Sequence, residues 1–140
     1  KALSFCIQAH QGQQRKSGEE YAVHPILVAV IAARFSNDEA MVISALLHDV
    51  VEDTEYSLEY IKQQYTNDIA HIVDGLTKID LAKTKSKQSS SNNKTLASAL
   101  TFRKMLLASI EDVRILVLKL CDRVHNMLTL DALTKEKQKR

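Results

Sequence analysis

An all-α fold is predicted from two features of the chain: residues that break helices are scarce, and apolar side chains recur at helical spacing. Only 3 glycines and 1 proline are present among 140 residues, whereas hairpin-rich β architectures need many more turn residues. The hydrophobic fraction of 45% is sufficient for one packed core, and this length matches the usual size of one domain. We therefore expect residues 1–140 to form a single helical domain.

The first third of the chain is predicted to contain two helices separated by a polar loop. Apolar residues at helical spacing indicate a helix over residues 2–12, and the polar residues 13–20 follow it. Pro25 is tolerated as the first residue of a second helix, which continues to Phe35. Residues 36–38 (Ser-Asn-Asp) end that helix and offer N-caps to the next one.

The rest of the chain is predicted to be helical except for one loop. The third helix contains residues 41–53. Four later helices end at about Tyr65, Ile79, Ser109 and Leu130. The N-caps expected for the first, second and fourth of these are Ser57, Asn67 or Asp68, and Asp112. Residues 83–95 have no apolar residue and include three consecutive serines, which predicts a flexible loop.

The segment 115–120 is apolar almost all round, which is typical of a buried strand or of a buried helix. A strand needs partner strands, and no other segment has a convincing strand pattern. We therefore expect a buried central helix here.

Composition also excludes several classes of partner. Lys and Arg number 19 against 17 Asp and Glu, a net charge of +2, so the chain lacks the basic field that binds DNA. No apolar run approaches the roughly 18 residues of a membrane span, and the first residues do not show the pattern of a signal peptide. Cys6 and Cys121 form no disulfide framework, which indicates a cytoplasmic setting. Because the chain starts at Lys1 inside a helical pattern, we expect it to be part of a longer protein.

The run His48-Asp49-Val-Val-Glu52-Asp53 is the strongest candidate for chemistry. On a helix, residues four apart share a face, so His48 lies with Glu52, and Asp49 with Asp53. A His-Asp pair is common by chance, and acids near helix ends are usually solvated. Here, however, acids crowd the predicted C-terminal end of a helix, where the dipole disfavours each by about 0.3–1 kcal/mol. A bound divalent cation would offset that cost.

Two distant residues complete a possible ligand set. His24 precedes Pro25 at the start of a helix, and Asp122 follows the apolar run of the last helix. The alternatives are that His24 is a core or capping histidine and that Asp122 pairs with Arg123 or Lys119. Two imidazoles and two carboxylates suit Mn²⁺, Fe²⁺, Mg²⁺ or Zn²⁺ and exclude a thiolate site.

Taken together, these motifs resemble the HD-type hydrolase domain of the RelA/SpoT family, the enzymes that make and destroy the alarmone (p)ppGpp. The resemblance rests on His24-Pro, on the run from His48 to Thr54 and on Asp122-Arg-x-His-Asn126-Met. The segments at residues 15–19, 73–78 and 103–106 (Arg-Lys-Ser-Gly-Glu, Val-Asp-Gly-Leu-Thr-Lys and Arg-Lys-Met-Leu) also match in order and spacing. The resemblance covers nearly the whole chain. One departure is Leu128, where the family often has Arg.

The resemblance implies an all-α HD-domain bundle and Mn²⁺-dependent removal of pyrophosphate from the 3′ position of a guanine nucleotide alarmone. It implies three groups of residues with distinct roles. The metal ligands are His24, His48, Asp49 and Asp122; the residues activating water are Glu52 and Asp53; the substrate contacts are Arg15, Lys16, Asn126 and Thr129. Without the resemblance, Arg15 and Lys16 would be interpreted as solvated loop charges. The family also implies C-terminal synthetase and regulatory domains in the parent protein.

Three other functions are compatible with these residues. An HD phosphohydrolase acting on another nucleotide, or on a phosphomonoester, would share the metal ligands. A regulatory module would bind an alarmone without hydrolysing it, although the intact Glu52-Asp53 pair argues against this. A helical interaction domain would leave the acids beside the core unexplained.

Overall fold

The computed structural model describes residues 1–86, 103, 107 and 111–130, and for residues 80–86 it describes the backbone alone. Seven helices lie in the two long described ranges. They are α1 (Ala2–Ala9), α2 (Val23–Phe35), α3 (Glu39–Leu47), α4 (Val50–Asp53), α5 (Leu58–Gln64), α6 (Asn67–Ser86) and α7 (Val113–Leu128). The prediction of an all-α fold is confirmed. The helix predicted over residues 96–109 lies outside the described residues except for Arg103 and Leu107, which are both helical.

Helices α1, α2 and α6 each differ from the predictions at one boundary. Helix α1 ends at Ala9, and Gly12 turns the chain with a φ of 79°, a left-handed conformation that favours glycine. Helix α2 begins two residues before Pro25, so the proline occupies the first turn, where its missing N–H is still tolerated. Helix α6 continues to Ser86, so the loop predicted at residues 83–95 is wrong for residues 83–86, and residues 87–95 lie outside the described part.

Side-chain caps explain where several helices begin. The carboxylate of Asp38 accepts a hydrogen bond from the Met41 amide, and that of Asp112 accepts one from the Arg114 amide. Both caps were predicted, as was Ser57 at the start of α5. For α6 the expected Asn67 or Asp68 is wrong, because the Thr66 hydroxyl accepts the hydrogen bond from the Ile69 amide.

The third predicted helix is interrupted at its most important residues. Helix α3 ends at Leu47, His48 and Asp49 form a turn, and the four-residue α4 follows. The expectation that the acids crowd the end of one continuous helix is therefore only partly met: Asp49 lies in the turn, whereas Glu52 and Asp53 are the last residues of the short α4 and are exposed. The amide of Asp53 still donates to the Asp49 carbonyl at 2.8 Å, so these two residues keep the spacing of one helical turn.

The main core is formed where α2, α3, α6 and α7 pack together. Helix α7 contributes Ile115, Leu118 and Cys121, which are all buried, whereas Leu120 is 51% exposed. The prediction of a buried central helix is therefore correct for the face of α7 that packs against α2, α3 and α6, and successive residues point about 100° apart, so Leu120 lies outside that face. Glycine at position 75 lets α6 approach α7, since a Cβ there would lie 2.3 Å from Cδ1 of Ile115.

A second core lies beneath α1, α4 and α5. It is built from apolar residues that include Leu47, Val50, Ile61 and Val73, with Phe5 packed against its edge. Because Leu47 and Val50 belong to this core and flank the turn at His48 and Asp49, the turn is anchored on both sides. Within the described ranges, no helix is long and apolar enough to cross a membrane.

Candidate metal centre

Three separate segments bring imidazole and carboxylate groups together. His24 comes from the first turn of α2, His48 and Asp49 from the turn after α3, and Asp122 from the middle of α7. The candidate ligand atoms of His24, His48 and Asp49 all lie within 4.8 Å of one another. Asp122 adjoins this group through His24, whose Nε2 atom lies 3.4 Å from its Oδ1.

The carboxylate of Asp49 lies between the two imidazoles. Its Oδ2 is 3.5 Å from Nε2 of His24, and its Oδ1 is 3.1 Å from Nε2 of His48. Both histidines are buried, with exposed fractions of 3% and 4%. The ring nitrogens of His24 and His48 therefore converge with the carboxylate of Asp49, and Asp122 adjoins them through His24.

The His48 ring is oriented by its own helix. Its Nδ1 lies 2.7 Å from the carbonyl oxygen of Ala45, so Nδ1 carries a proton and donates it. In the neutral imidazole this leaves Nε2 as a bare acceptor. Nε2 of His48 is buried and makes no well-aligned hydrogen bond among the described residues, although Oδ1 of Asp49 lies 3.1 Å from it. A buried acceptor facing carboxylates is poorly satisfied by the protein, and a cation at that position fits it.

The electrostatics of the site favour added positive charge. Burial acts to lower the pKa of His48, but the negative charge of Asp49 outweighs it and raises the pKa to about 9. Burial acts to raise the pKa of Asp49, and the charge of His48 reverses this and holds the pKa well below its usual range. The carboxylates are thus ionised, and without a metal a proton on His48 supplies part of the charge that they require.

Asp122 has contacts on both of its oxygens. Oδ1 faces His24, and Oδ2 lies 3.0 Å from the ammonium of Lys119, which is itself buried. Burial acts to raise the pKa of Asp122, but His24 and Lys119 outweigh it and lower the pKa. The local ion pair with Lys119 that was considered as an alternative is therefore present, and it coexists with the contact to His24.

The two candidate catalytic acids occupy different positions relative to this cluster. The phenol of Tyr21 lies within hydrogen-bonding distance of Oδ2 of both Asp49 and Asp53, at 3.0 and 2.5 Å. Since a phenol has one proton, it can donate to only one carboxylate at a time. Asp53 is thus linked to the cluster through Tyr21. Glu52 is the preceding residue of α4, and both acids are exposed.

Arg15 is half-buried and lies against α7. Its guanidinium donates to Oδ1 of Asn126 at 2.6 Å, and Nδ2 of Asn126 donates to Oδ1 of Asp122. Lys16 is exposed. The Thr129 hydroxyl lies within hydrogen-bonding distance of the carbonyl oxygens of residues 125 and 126, at 3.1 and 3.3 Å, and its one proton is donated within the end of its own helix. Two of the four predicted substrate contacts therefore meet beside the metal cluster.

Three residues at the site were given no role from the sequence. Tyr21 and His24 share one turn, but nothing in the polar segment before α2 marks a tyrosine as functional. His125 lies one turn after Asp122, so helical spacing could have identified it. Lys119 was considered only as an alternative partner of Asp122. Cys121, next to Asp122, is buried in the main core and faces away from the cluster of ligands.

The chain is similar to a known domain family and to a solved structure. The sequence model of the HD domain family matches residues 2–140. A solved structure of a metazoan ortholog of SpoT, described as hydrolysing ppGpp and playing a role in starvation responses, aligns with a TM-score of 0.70 and 24% identity. The alignment covers 99% of this chain and 75% of that one. At this identity the likeness supports the fold.

Curated relatives are more similar in sequence. The chain is 45% identical over 132 residues to a guanosine-3′,5′-bis(diphosphate) 3′-pyrophosphohydrolase from Haemophilus influenzae. It is 41% identical over 140 residues to the bifunctional (p)ppGpp synthase/hydrolase SpoT of Escherichia coli K12, and 44% identical to a GTP pyrophosphokinase from Myxococcus xanthus. These matches cover 94% to 100% of this chain, but only 18% to 19% of the three relatives.

Proposed function

The chain belongs to the HD domain family, and from that premise we propose that it hydrolyses the 3′-pyrophosphate of (p)ppGpp in a metal-dependent reaction. The products are GDP or GTP and pyrophosphate. Two of the relatives described above are named for this hydrolysis. Because they are about five times longer than the matched region, their activity is a proposal for this chain.

One observation supports the metal dependence most directly. The buried Nε2 atom of His48 makes no well-aligned hydrogen bond within the described structure, and it faces the carboxylate of Asp49. We assign His24, His48, Asp49 and Asp122 as the ligands. Oxygen and imidazole ligands suit Mn²⁺, which is the cofactor that we propose because the RelA/SpoT resemblance implies it.

The metal and the side chains have separate tasks in the proposed reaction. When bound, a divalent cation supplies Lewis-acid stabilisation of the phosphate oxygens and lowers the pKa of water. Glu52 or Asp53 accepts the proton of the attacking water, a role typically worth about 10²–10⁴-fold in rate. Water attacks the phosphorus nearer to the ribose, and the bond between that phosphorus and the 3′ oxygen breaks. The 3′ oxygen leaves with a proton as the ribose hydroxyl, and the P–O–P linkage is untouched, so pyrophosphate is released intact.

The proposed substrate contacts come from two segments of the chain, the loop before α2 and the C-terminal end of α7. Arg15 and Lys16 provide positive charge for the pyrophosphate group. Asn126 and Thr129 contact the nucleoside from α7. Arg15 and Asn126 already contact each other in this structure, so the substrate must either share or replace that hydrogen bond.

Product analysis tests this function. The purified chain is incubated with ppGpp in Mn²⁺, in Mn²⁺ with excess EDTA, and after Mn²⁺ is restored, and products are separated by anion exchange. We expect GDP and pyrophosphate with Mn²⁺, none with EDTA, and recovery on restoration. Release of inorganic phosphate instead of pyrophosphate, or full turnover in the metal-stripped sample, would contradict the proposal.

The same assay separates the alternative functions. Faster hydrolysis of another nucleotide or of a phosphomonoester would indicate a different HD phosphohydrolase. Tight binding of ppGpp with no turnover in Mn²⁺ would indicate a regulatory module. The arrangement of Asp53 beside the metal cluster favours hydrolysis over binding alone.

A further inference from the structure

His125 lies directly beside the proposed metal centre and has been given no role so far. It is on α7, is 4% exposed, and points its Nδ1 atom at Nδ1 of His24 across 2.8 Å. The two residues are 101 positions apart in the chain. A hydrogen bond between two ring nitrogens requires that one carries a proton and that the other does not.

A third residue decides which ring is the donor. Nη1 of Arg15 lies 3.5 Å from the same Nδ1 atom of His125. A guanidinium group donates hydrogen bonds and cannot accept them. Nδ1 of His125 is therefore the acceptor for both neighbours, and Nδ1 of His24 carries the proton that it donates.

This assignment determines the state of the other nitrogen of His24. A neutral imidazole has one proton, so when Nδ1 is protonated Nε2 is a bare acceptor. Nε2 of His24 faces Asp49 at 3.5 Å and Asp122 at 3.4 Å. A lone pair on Nε2 that faces two carboxylates is unfavourable on its own. A metal ion bound to Nε2, however, requires the tautomer of His24 in which Nδ1 carries the proton.

We propose that His125 is a positioning residue for the metal centre. It accepts the Nδ1 proton of His24 and so holds that ring with Nε2 presented to the ion. The inference rests on the metal site of the proposed function, but it concerns ligand orientation and does not depend on which substrate is hydrolysed. Outer partners of metal-bound histidines typically contribute about 10- to 100-fold to metal affinity.

The test compares two substitutions at one position. His125→Phe keeps a flat ring and removes the acceptor, whereas His125→Asn places an acceptor oxygen near the position of Nδ1. His71→Phe is the matched control, because His71 is an exposed histidine on α6. Mn²⁺ dissociation constants are measured by electron paramagnetic resonance of the free ion, and circular dichroism shows that each variant is folded.

We expect His125→Phe to weaken Mn²⁺ binding about tenfold or more, and His125→Asn to remain within about threefold of the wild type. The control should match the wild type. Equal affinity of His125→Phe and the wild type would overturn the proposal. So would equal weakening in both His125 variants, since the loss would then come from packing and not from the acceptor.

A second measurement needs no variant and covers the case in which His125→Phe does not fold. In wild-type protein loaded with diamagnetic Zn²⁺, long-range proton–nitrogen correlation should show His125 protonated at Nε2 and His24 protonated at Nδ1. The opposite tautomers would overturn the inference. If these results hold and ppGpp is not hydrolysed, the proposed substrate alone is wrong.

Discussion

At the residue scale, burial separates the acids proposed to bind the metal from those proposed to accept a proton. The side chains of Asp49 and Asp122 are only 13% and 10% exposed, and each contacts a histidine. Glu52 and Asp53 are exposed. A buried carboxylate must be compensated by positive charge, whereas an exposed one is solvated and can exchange protons with water. This difference underlies their assignment as ligands and as general bases.

The first prediction concerns the ligand that lies between the two imidazoles. Asp49→Ala should abolish measurable Mn²⁺ binding, because it removes the carboxylate that contacts both His24 and His48. Isothermal titration with Mn²⁺ measures this. Asp74→Ala is the control, since Asp74 pairs on the surface of α6 with Lys78. Tight Mn²⁺ binding by folded Asp49→Ala protein would rule out this ligand.

The second prediction separates binding from proton transfer. Glu52→Gln and Asp53→Asn should keep Mn²⁺ affinity within a few-fold, and the variant that lacks the general base should lose about 10²–10⁴-fold in turnover. Because Asp53 is linked to Asp49 through Tyr21, its substitution should weaken Mn²⁺ binding more than that of Glu52. Unchanged turnover in both metal-binding variants would reject the assignment.

At the element scale, one arginine connects the starts of three helices. Arg114 in α7 binds Asp38 before α3, Asp68 in α6 and Asp112 before α7. The N-terminal ends of these helices therefore meet at a single guanidinium group. Carboxylates at helix N-termini are also favoured by the helix dipole, so this arrangement sets the relative positions of α3, α6 and α7, two of which lead to the metal centre.

Substitution of Arg114 should make the free energy of unfolding depend less on pH. Hydrogen bonds from Arg114 hold the pKa of Asp112 below its usual 3.8. A lowered folded-state pKa contributes stability above about pH 4 that disappears as pH falls through the folded value. Arg114→Met should therefore cost about 1–3 kcal/mol near pH 7 and much less near pH 2. Urea unfolding at both pH values measures this.

Arg123→Met is the matched control, because Arg123 is an exposed arginine on the same helix. A cost for Arg114→Met that is equal at both pH values would show that its ion pairs are not the cause.

The contact between α6 and α7 depends on the absence of a side chain at Gly75. A Cβ at position 75 would overlap Ile115, which is fully buried and cannot move into solvent. Gly75→Val should therefore destabilise the fold by about 1–3 kcal/mol. In an Ile115→Ala background the added side chain has space, so its cost should be smaller. A double-mutant cycle by thermal unfolding checks this, and additive costs would contradict the close approach.

At the scale of the whole molecule, local and distant contacts differ in how far the sequence could predict them. The caps at Asp38, Ser57 and Asp112 and the contact between Asp122 and Asn126 depend on spacing within one segment, and spacing is visible in the sequence. The turn at His48 and Asp49 could not be predicted, because helix propensity continues through it and packing of the flanking residues interrupts the helix.

Contacts between distant segments could not be predicted from the spacing of residues in the sequence. The hydrogen bond between His24 and His125 joins residues 101 positions apart, and that between Arg15 and Asn126 joins residues 111 apart. No periodicity connects such pairs, so only the folded chain brings them together. The family resemblance supplied Arg15 and Asn126 as candidates, but their contact with each other, and the part played by His125 and Tyr21, required the structure.

The most direct test of the account is a crystal structure of the chain grown with Mn²⁺, with anomalous diffraction recorded at the manganese edge. One strong anomalous peak is predicted among His24, His48, Asp49 and Asp122, within bonding distance of both Nε2 atoms. A peak bound only to surface carboxylates, or no peak in protein that hydrolyses ppGpp, would contradict it.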